Sequence, residues 1–297
     1  MRGAPILVPP FSSVWAILIG IDGYKTDALG GCVSDGRLME DYLTNHAAVK
    51  KTRIQRLLGP SGENAATPSD SLPPTRKNII DTLQSLANND RIMHGSDILI
   101  YYAGHGASYP GPAGTTETLC PIDRDAKTGC HDISDRQINE ILYQISCRKG
   151  HRITVIFDCC YSGGTTRGNS NSHQEQFRFR GVPPLPDVSA NSTLRTADED
   201  LNLLGSDRSV LASGWRAIMD SHVILAACVD TEHAREKGNG VFTVALLEAL
   251  KSNLLTRQST YIDLLNALSV DGQKPVLAGK HKNSQLGDLK EILDPRY

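Results

Sequence analysis

The 297-residue chain has no apolar run approaching the ~18 residues that a membrane-spanning helix needs, so none is expected. It has no strong charge of either sign: 31 Lys and Arg stand against 33 Asp and Glu, a net charge of −2. Neither nucleic acid nor an anionic membrane is therefore an expected partner. The pairs Lys50-Lys51 and Arg76-Lys77 read as solvated faces. No secretory leader is expected either, because Ile6-Leu7-Val8 within Met1–Pro10 is short and broken by prolines. No cysteine framework is present: the seven cysteines are odd in number and irregularly spaced. That usage predicts free thiols and a reducing, cytoplasmic compartment. Cys130-His131, with Cys120 nearby, has no second closely spaced ligand pair, so no zinc site is expected. No internal repeat is found. What remains is ordinary globular composition, 39 % hydrophobic and 22 % charged, at a length that fits one large α/β domain or two small ones.

Two stretches share one design. Ile153-Thr154-Val155-Ile156-Phe157 runs into Asp158-Cys159-Cys160 and then a glycine pair, and Asp97-Ile98-Leu99-Ile100-Tyr101-Tyr102 runs into Ala103-Gly104-His105-Gly106. Each reads as a buried strand that stops abruptly. Ligand sites in open parallel sheets lie off the carboxyl ends of strands. If the two strands are parallel neighbours, His105 and the paired thiols share one sheet edge. An imidazole there raises the thiolate fraction and later protonates a leaving amine. Side chains alternate along a strand, so Asp158 and Cys160 share a face and Cys159 points away. Cys160 is the expected nucleophile, and Cys159 a buried neighbour.

Other elements fall around these two. Ser13–Ile21 is a continuous apolar strand of the kind buried on both faces. A loop follows to Leu29-Gly30-Gly31-Cys32-Val33-Ser34-Asp35, and then a helix bearing Leu38, Tyr42 and Leu43. Ile54–Leu58 is a second strand, 59–74 a surface loop, and Thr75 opens a helix with Ile79, Ile80, Leu83 and Leu86. Residues 106–131 read as a long glycine-rich loop at a cleft. Ser134 caps a helix with Ile138, Ile141, Leu142 and Ile145. Residues 165–220 read as a flexible linker holding six arginines and no lysine, with one short docked segment at Leu201, Leu203 and Leu204. Regular structure returns with a strand at Ser221–Cys228 and helices from Asn239 and Thr260. A late edge strand, Gln273–Leu277, is marked by Pro275. The alternation of strand and helix predicts a mostly parallel central sheet with helices on both faces.

Tyr101-Tyr102-Ala103-Gly104-His105-Gly106 and Asp158-Cys159-Cys160-Tyr161-Ser162-Gly163 resemble the two catalytic motifs of caspase-like cysteine proteases, and most closely those of metacaspases. The usual metacaspase forms are Tyr-Ser-Gly-His-Gly and Asp-x-Cys-His-Ser-Gly. His105 precedes Cys160 by 55 residues, and caspases place their histidine about 50 upstream. The resemblance extends from about Trp15 to about Leu277. Ala103 stands where serine is frequent and Tyr161 where histidine is usual; both bear on the cleft and neither removes the dyad.

The resemblance implies a single caspase-like domain over 1–297, an α/β three-layer sandwich. A large-subunit-like region at 11–164 and a small-subunit-like region at 221–297 would build one sheet, joined by the 165–220 linker. It implies a cysteine endopeptidase with His105 and Cys160 as dyad, acting as a monomer on protein or peptide substrates with basic residues. It also implies that Asp35 and Asp158 are the specificity acids, that Cys32 lines their pocket, and that the setting is programmed cell death or stress clearance. A buried carboxylate pair suits a guanidinium gripped in bidentate fashion, so cleavage after Arg or Lys is expected. The backbone N–H groups of Gly106 and Cys160 are the expected oxyanion hole. No third triad member is nameable from sequence. Self-cleavage is expected within the arginine-rich linker, and no death-fold or proline-rich prodomain is expected before the first strand.

Many metacaspases hold Ca²⁺ on a cluster of aspartates. The corresponding regions here read Thr115-Thr116-Glu117, Ser134-Asp135 and Thr165-Thr166-Arg167, too poor in acids for a cation that wants several anionic oxygens. No cofactor and no high-affinity calcium site are expected. The alternatives are a catalytically weak or inactive signalling scaffold on the same fold, with Tyr161 obstructing the cleft, and a gingipain- or separase-type peptidase sharing only the dyad.

Overall fold

The computed structural model describes residues 12–60, 68–111, 114–160, 177–229 and 232–290. Tyr161, the 165–167 segment and the first eleven residues, on which some expectations fall, lie outside the described residues. The first half runs β1 (Trp15–Gly20), α1 (Cys32–Asn45), β2 (Ile54–Leu58), α2 (Arg76–Asn88) and β3 (Ile98–Ala103). It continues with β4 (Gly106–Gly111), β5 (Gly114–Leu119), β6 (Ile133–Ser134), α3 (Asp135–Lys149) and β7 (Ile153–Asp158). The second half runs β8 (Arg178–Phe179), α4 (Ala190–Leu201), β9 (Val223–Ala226), β10 (Arg235–Lys237) and β11 (Asn239–Gly240). It closes with α5 (Val241–Lys251), α6 (Tyr261–Ala267) and β12 (Val276–Ala278).

The central sheet has the order β12-β9-β7-β3-β1-β2. Five strands are parallel, and β12 joins the edge antiparallel to β9. Every residue of β1, β3 and β7 is buried, the outcome expected of apolar runs with no polar alternation. Alternate residues meet different layers. Leu99, Thr154 and Ile156 face Tyr42 and Leu43 of α1, Leu246 and Leu250 of α5, and Leu264 of α6. Ile100, Tyr102, Val155 and Phe157 face Ile79 and Leu83 of α2 and Ile138, Ile141 and Leu142 of α3. Helices thus cover both faces, and residues 221–290 share one sheet and one core with the first half. Each aliphatic side chain so buried contributes roughly 1.5–3 kcal/mol.

Helix starts follow the side chains that satisfy exposed backbone donors. Thr75 caps α2 by accepting from Asn78 N–H at 3.3 Å, and Ser134 caps α3 by accepting from Gln137 N–H at 3.1 Å. Ser189 and Ser192 close a reciprocal capping box on α4, and Thr260 with Asp263 does the same on α6.

Three expectations are corrected. Residues 106–131 do not form one long loop, because β4 and β5 pair as an antiparallel hairpin and β6 extends it to a second three-stranded sheet. The glycines at 111 and 114 close the hairpin, and Thr116 and Thr118 are buried along it. The described part of the 165–220 stretch is not an open linker. Residues 190–201 form α4, which packs on α3, β4 and β6 and buries Thr193, Leu194, Ala197 and Leu201. Asp35 does not close a loop but lies in the first turn of α1, which begins at Cys32.

Candidate active site

Residues Ala103 of β3 and Asp158 of β7 are partners across the parallel ladder. His105 and Cys160 each follow two residues later, so both leave the sheet at the same edge. Hydroxyls of two tyrosines hold the histidine turn. His105 N–H donates to Tyr24 Oη at 2.9 Å, the Tyr102 hydroxyl donates to His105 O at 2.7 Å, and the Tyr24 hydroxyl donates to Cys120 O at 2.9 Å. A Cβ on Gly104 would come within 2.6 Å of Tyr24 Oη and 2.8 Å of Tyr102 Oη, so only glycine fits there.

His105 Nε2 lies 2.6 Å from the carbonyl oxygen of Asp27. A carbonyl cannot donate, so the proton sits on Nε2 and Nδ1 carries the lone pair. Nδ1 is buried, with no hydrogen-bond partner among the described residues. Burial lowers the imidazole pKa to about 4, which keeps the ring neutral at ordinary pH. Asp27 presents its carbonyl from a left-handed backbone conformation, φ 57°, which aspartate tolerates better than most residues. Cys160 is buried, and its Sγ lies 4.0 Å from a second imidazole nitrogen, His233 Nδ1. The His233 ring packs against Phe179 with centroids 5.0 Å apart.

Beside the thiol is a pocket whose occupant is the chain's own Arg180. Its side chain is 0 % exposed. Nη1 lies 2.8 Å from Asp158 Oδ2 and Nη2 2.5 Å from Asp35 Oδ2. Nε and Nη2 reach Glu236 Oε2 at 3.3 and 3.2 Å. Each acid is anchored from behind. Asp35 accepts Gly240 N–H at 3.0 Å, Asp158 accepts the Thr243 hydroxyl at 2.6 Å, and Glu236 accepts Gly30 N–H at 2.9 Å. The N-terminus of α1, from which Asp35 projects, is held by Asp22, whose carboxylate accepts Cys32 N–H at 2.8 Å and Val33 N–H at 3.2 Å. Burial pushes the Asp35 carboxyl up, and the Arg180 charge pulls it partly back. Burial disfavours the Arg180 charge, but Asp158 foremost, with Asp35, holds the guanidinium protonated far above neutral pH. The Cys32 thiol faces Glu236 Oε2 at 3.8 Å, and burial keeps it protonated, so it is a wall and not a nucleophile.

The backbone of the same segment is gripped as firmly as the side chain. Arg180 O accepts from Gly106 N–H and from Cys160 N–H, each at 3.1 Å. Arg180 N–H donates to Ala234 O at 3.0 Å, and Val182 N–H donates to Gly106 O at 3.0 Å. Upstream, Phe179 and Arg178 pair antiparallel with Arg235 and Glu236 of β10.

Asp35, Asp158 and Cys32 are thus brought together around one guanidinium, and the N–H groups of Gly106 and Cys160 meet at one carbonyl oxygen. Sequence reading did not find Glu236, the Asp27 carbonyl, His233 or Arg180 itself. Glu236 sits on a three-residue strand with no pattern of its own, and a backbone carbonyl leaves no trace in residue type. Cys159 is buried beside Cys228, whose thiol faces its carbonyl at 3.9 Å. Asp135, considered above for calcium, accepts its neighbour Arg136 N–H at 2.8 Å, and burial raises its pKa to about 6.

Residues 15–167 match the family model for the metacaspase, peptidase C14 domain. Metacaspase-1 of Cryptococcus neoformans is 28 % identical over 303 residues, covering 90 % of this chain and 62 % of that protein. Metacaspase-6 of Arabidopsis thaliana is 30 % identical over 150 residues, covering 50 % of this chain and 38 % of that protein. The chain therefore spans less than two thirds of the length of these relatives. Among solved structures, protein GSU0716 from Geobacter sulfurreducens superposes with a TM-score of 0.59 at 19 % identity, covering 95 % of this chain and 99 % of the other. Caspase-1 from Spodoptera frugiperda superposes with a TM-score of 0.51 at 12 % identity, covering 94 % and 91 %. At such identities the two structures speak for a common caspase-like fold. With more than half of the chain matched by the family model, and with both motifs at one edge of a caspase-like sheet, this chain belongs to the metacaspase family of peptidases.

Proposed function

We propose that the chain is a cysteine endopeptidase that cuts on the carboxyl side of arginine, with Cys160 as nucleophile and His105 as its base. The observation that carries this reading is the seating of a guanidinium among three carboxylates while the carbonyl of the same residue rests on the N–H groups of Gly106 and Cys160. That is the placement a scissile carbonyl needs: a charged anchor on one side and two donors aimed at the oxygen that becomes an oxyanion.

The chemistry follows from residues in hand. The Cys160 proton passes to Nδ1 of His105, the lone-pair nitrogen left by the Nε2–H bond to Asp27 O. The sulfur adds to the carbonyl carbon, and the oxyanion is held by the two N–H groups. His105 returns the proton to the departing amine, and water later releases the acyl group. Arginine is favoured over lysine because a planar fork can meet Asp35, Asp158 and Glu236 together, whereas an ammonium is a single point. Self-cleavage within the 165–220 stretch belongs to the same reading, as do action without tightly held calcium, a cytoplasmic setting and a monomeric state.

Peptide reporters differing only in the residue before the cut test the specificity. Turnover should fall in the order Arg, Lys, Asp and vanish in Cys160→Ala; preference for the Asp reporter would overturn the reading. Calcium is tested by titration with the metal alone, where micromolar binding through Asp135 would count against the proposal.

The scaffold alternative has one observation in its favour, namely that the cleft is filled by the chain itself. A chloromethyl ketone carrying arginine separates the two readings, since a scaffold leaves Cys160 unlabelled even when Arg180 is replaced.

A further inference from the structure

The ladder beside the acid pocket sorts the side chains of whatever strand lies on it. Phe179 stands opposite Arg235 of β10, and Arg178 stands opposite Glu236. Residues directly opposite share a face, and successive residues alternate faces. Arg178 and Arg180 therefore turn toward Glu236 and the acids. Phe177 and Phe179 turn to the other face, where Arg235 stands and, two residues before it, His233. The contacts agree with this sorting. The Phe179 ring packs on the His233 ring with centroids 5.0 Å apart and planes at 54°. Arg235 Cζ lies 5.7 Å from the centre of the Phe177 ring, within cation–π range.

Both receiving side chains are held in place by the fold. His233 Nδ1 lies 4.0 Å from Cys160 Sγ, which puts the ring beside the nucleophile. Arg235 N–H donates to Gln273 Oε1 at 3.0 Å, and Gln273 Nε2 donates in turn to Ala227 O at 3.2 Å. The Arg235 guanidinium lies against Gly272, which is at φ 61° and where a Cβ would collide with Nη1, so glycine keeps that room open. Arg235 Nε is buried with no hydrogen-bond partner among the described residues. A guanidinium so placed gains from the negative face of an aromatic ring. Phe177 and Phe179 stay 37 % and 41 % exposed, so each ring is covered on one side only. The two positions are open platforms that take a flat ring of any size, and not closed holes.

We infer that His233 and Arg235 are two further specificity residues, His233 selecting an aromatic residue immediately before the arginine at the cut and Arg235 another two positions further back. The substrate class is a peptide reading aromatic, any residue, aromatic, arginine. The inference rests on the proposed peptidase reading and adds to it the residues upstream of the arginine. A chain with its arginine among the acids and its carbonyl on the N–H groups of Gly106 and Cys160 has its register on β10 fixed. Alternation then sends the same two upstream side chains to His233 and Arg235.

The test uses the full chain as wild type, His233→Ala, His233→Phe, Arg235→Ala and Arg235→Lys. Each is also prepared with Arg180→Ala, which leaves the acid pocket to the reporter. Four tetrapeptide reporters are compared: Ala-Ala-Ala-Arg, Ala-Ala-Phe-Arg, Phe-Ala-Ala-Arg and Phe-Ala-Phe-Arg. Phenylalanine before the arginine should raise kcat/KM by about tenfold over alanine, through KM. Phenylalanine at the outer position should raise it by about threefold, also through KM. His233→Ala should erase the first preference and keep the second, and Arg235→Ala should do the reverse. His233→Phe keeps a ring and Arg235→Lys a cation, so each should retain its preference. His233→Gln and Arg235→Gln, which lose ring and charge but keep bulk, replace an alanine form that fails to fold. Equal cutting of all four reporters, or preferences that survive both losses, would overturn the inference while leaving the peptidase reading intact. No turnover of any reporter by any form would bring down the peptidase reading and the inference with it.

Discussion

His105 and Glu236 pose the sharpest questions of chemistry. Two imidazoles lie near the thiol region, yet they differ in what holds them. His105 has its tautomer set by the Asp27 carbonyl and its ring enclosed by Tyr24, with centroids 4.6 Å apart. His233 is half-buried and packs on Phe179, which belongs to the seated segment. Replacing His105 by alanine should therefore lower kcat/KM toward an arginyl reporter by about a thousandfold, within the range for loss of a general base. His233→Ala should cost no more than about tenfold by the same scale, mostly in KM. Comparable losses in kcat for both would require a different assignment of the base. Because burial depresses His105, its protonation does not limit activity until the pH approaches about 4.

Glu236 makes a prediction of selectivity at the same scale. It touches Nε and Nη2 of the seated guanidinium, and a lysine side chain has no counterpart for the first of these. Glu236→Gln should lower kcat/KM for an arginyl reporter roughly tenfold, or about 1.4 kcal/mol, and change a lysyl reporter much less. Equal losses would mean that the acid acts only through overall charge. Gly240→Ala offers a steric companion. Its Cβ would collide with Asp158 Oδ2 and come within 2.6 Å of Arg180 Nη1, so arginine binding should fail through KM.

Among the elements, α1 bears most directly on the site. Its capping residue, Gly31, has no side chain to offer, so its first donors are met by Asp22 from the loop after β1. That bond sets the start of the helix at Cys32 and so puts Asp35 one turn in, aimed at Gly240 and Arg180. Asp22→Ala should destabilise the fold by about 1–2 kcal/mol, the ordinary cost of a lost cap, and raise KM for arginyl substrates more than it lowers kcat. Asp22→Asn, which keeps an acceptor, should recover most of both. Denaturant unfolding and steady-state kinetics read the two effects separately, and a loss confined to kcat would refute the positioning role.

For the whole molecule, the halves on either side of residues 165–220 are one folding unit, since β9 pairs with β7 and α5 packs on α1. A chain cut within the 165–220 stretch should keep its fragments associated under native conditions, which size-exclusion chromatography would show as an unchanged elution volume. Stability should also carry the mark of buried imidazoles. His222 is fully buried at the start of β9, and burial lowers its pKa to about 4. The folded chain then binds fewer protons there than the unfolded chain between pH 6.5 and about 4. That contribution is present above pH 6.5 and is lost as the pH falls through this window, at up to about 1.4 kcal/mol per unit. Relative to wild type, His222→Gln should gain Tm steadily from pH 6.5 down to pH 4; a constant difference would contradict the sign.

The central strands with their covering helices, and the two glycine-flanked strand ends that put His105 and Cys160 at one sheet edge, were legible from residues alone, whereas Asp35 and Asp158 came forward as pocket acids only through the resemblance to metacaspases. Continuous apolar runs can be buried only on both faces of a sheet, and a thiol and an imidazole placed at strand ends declare their chemistry by type. The hairpin after His105 and helix α4 were harder to read, because their threonines and small residues gain preference from what they pack against and carry little of their own. What tertiary structure alone decided is how separate segments converge. Glu236 arrives from a short strand more than two hundred residues after Asp22, and Asp27 contributes its backbone carbonyl. Arg180 turned from one of six arginines in a polar stretch into the occupant of the pocket. Residue type fixes what a group can do, but a pocket charge, a tautomer and an occupied cleft depend on distances of about 3 Å between parts of the chain that sequence leaves far apart.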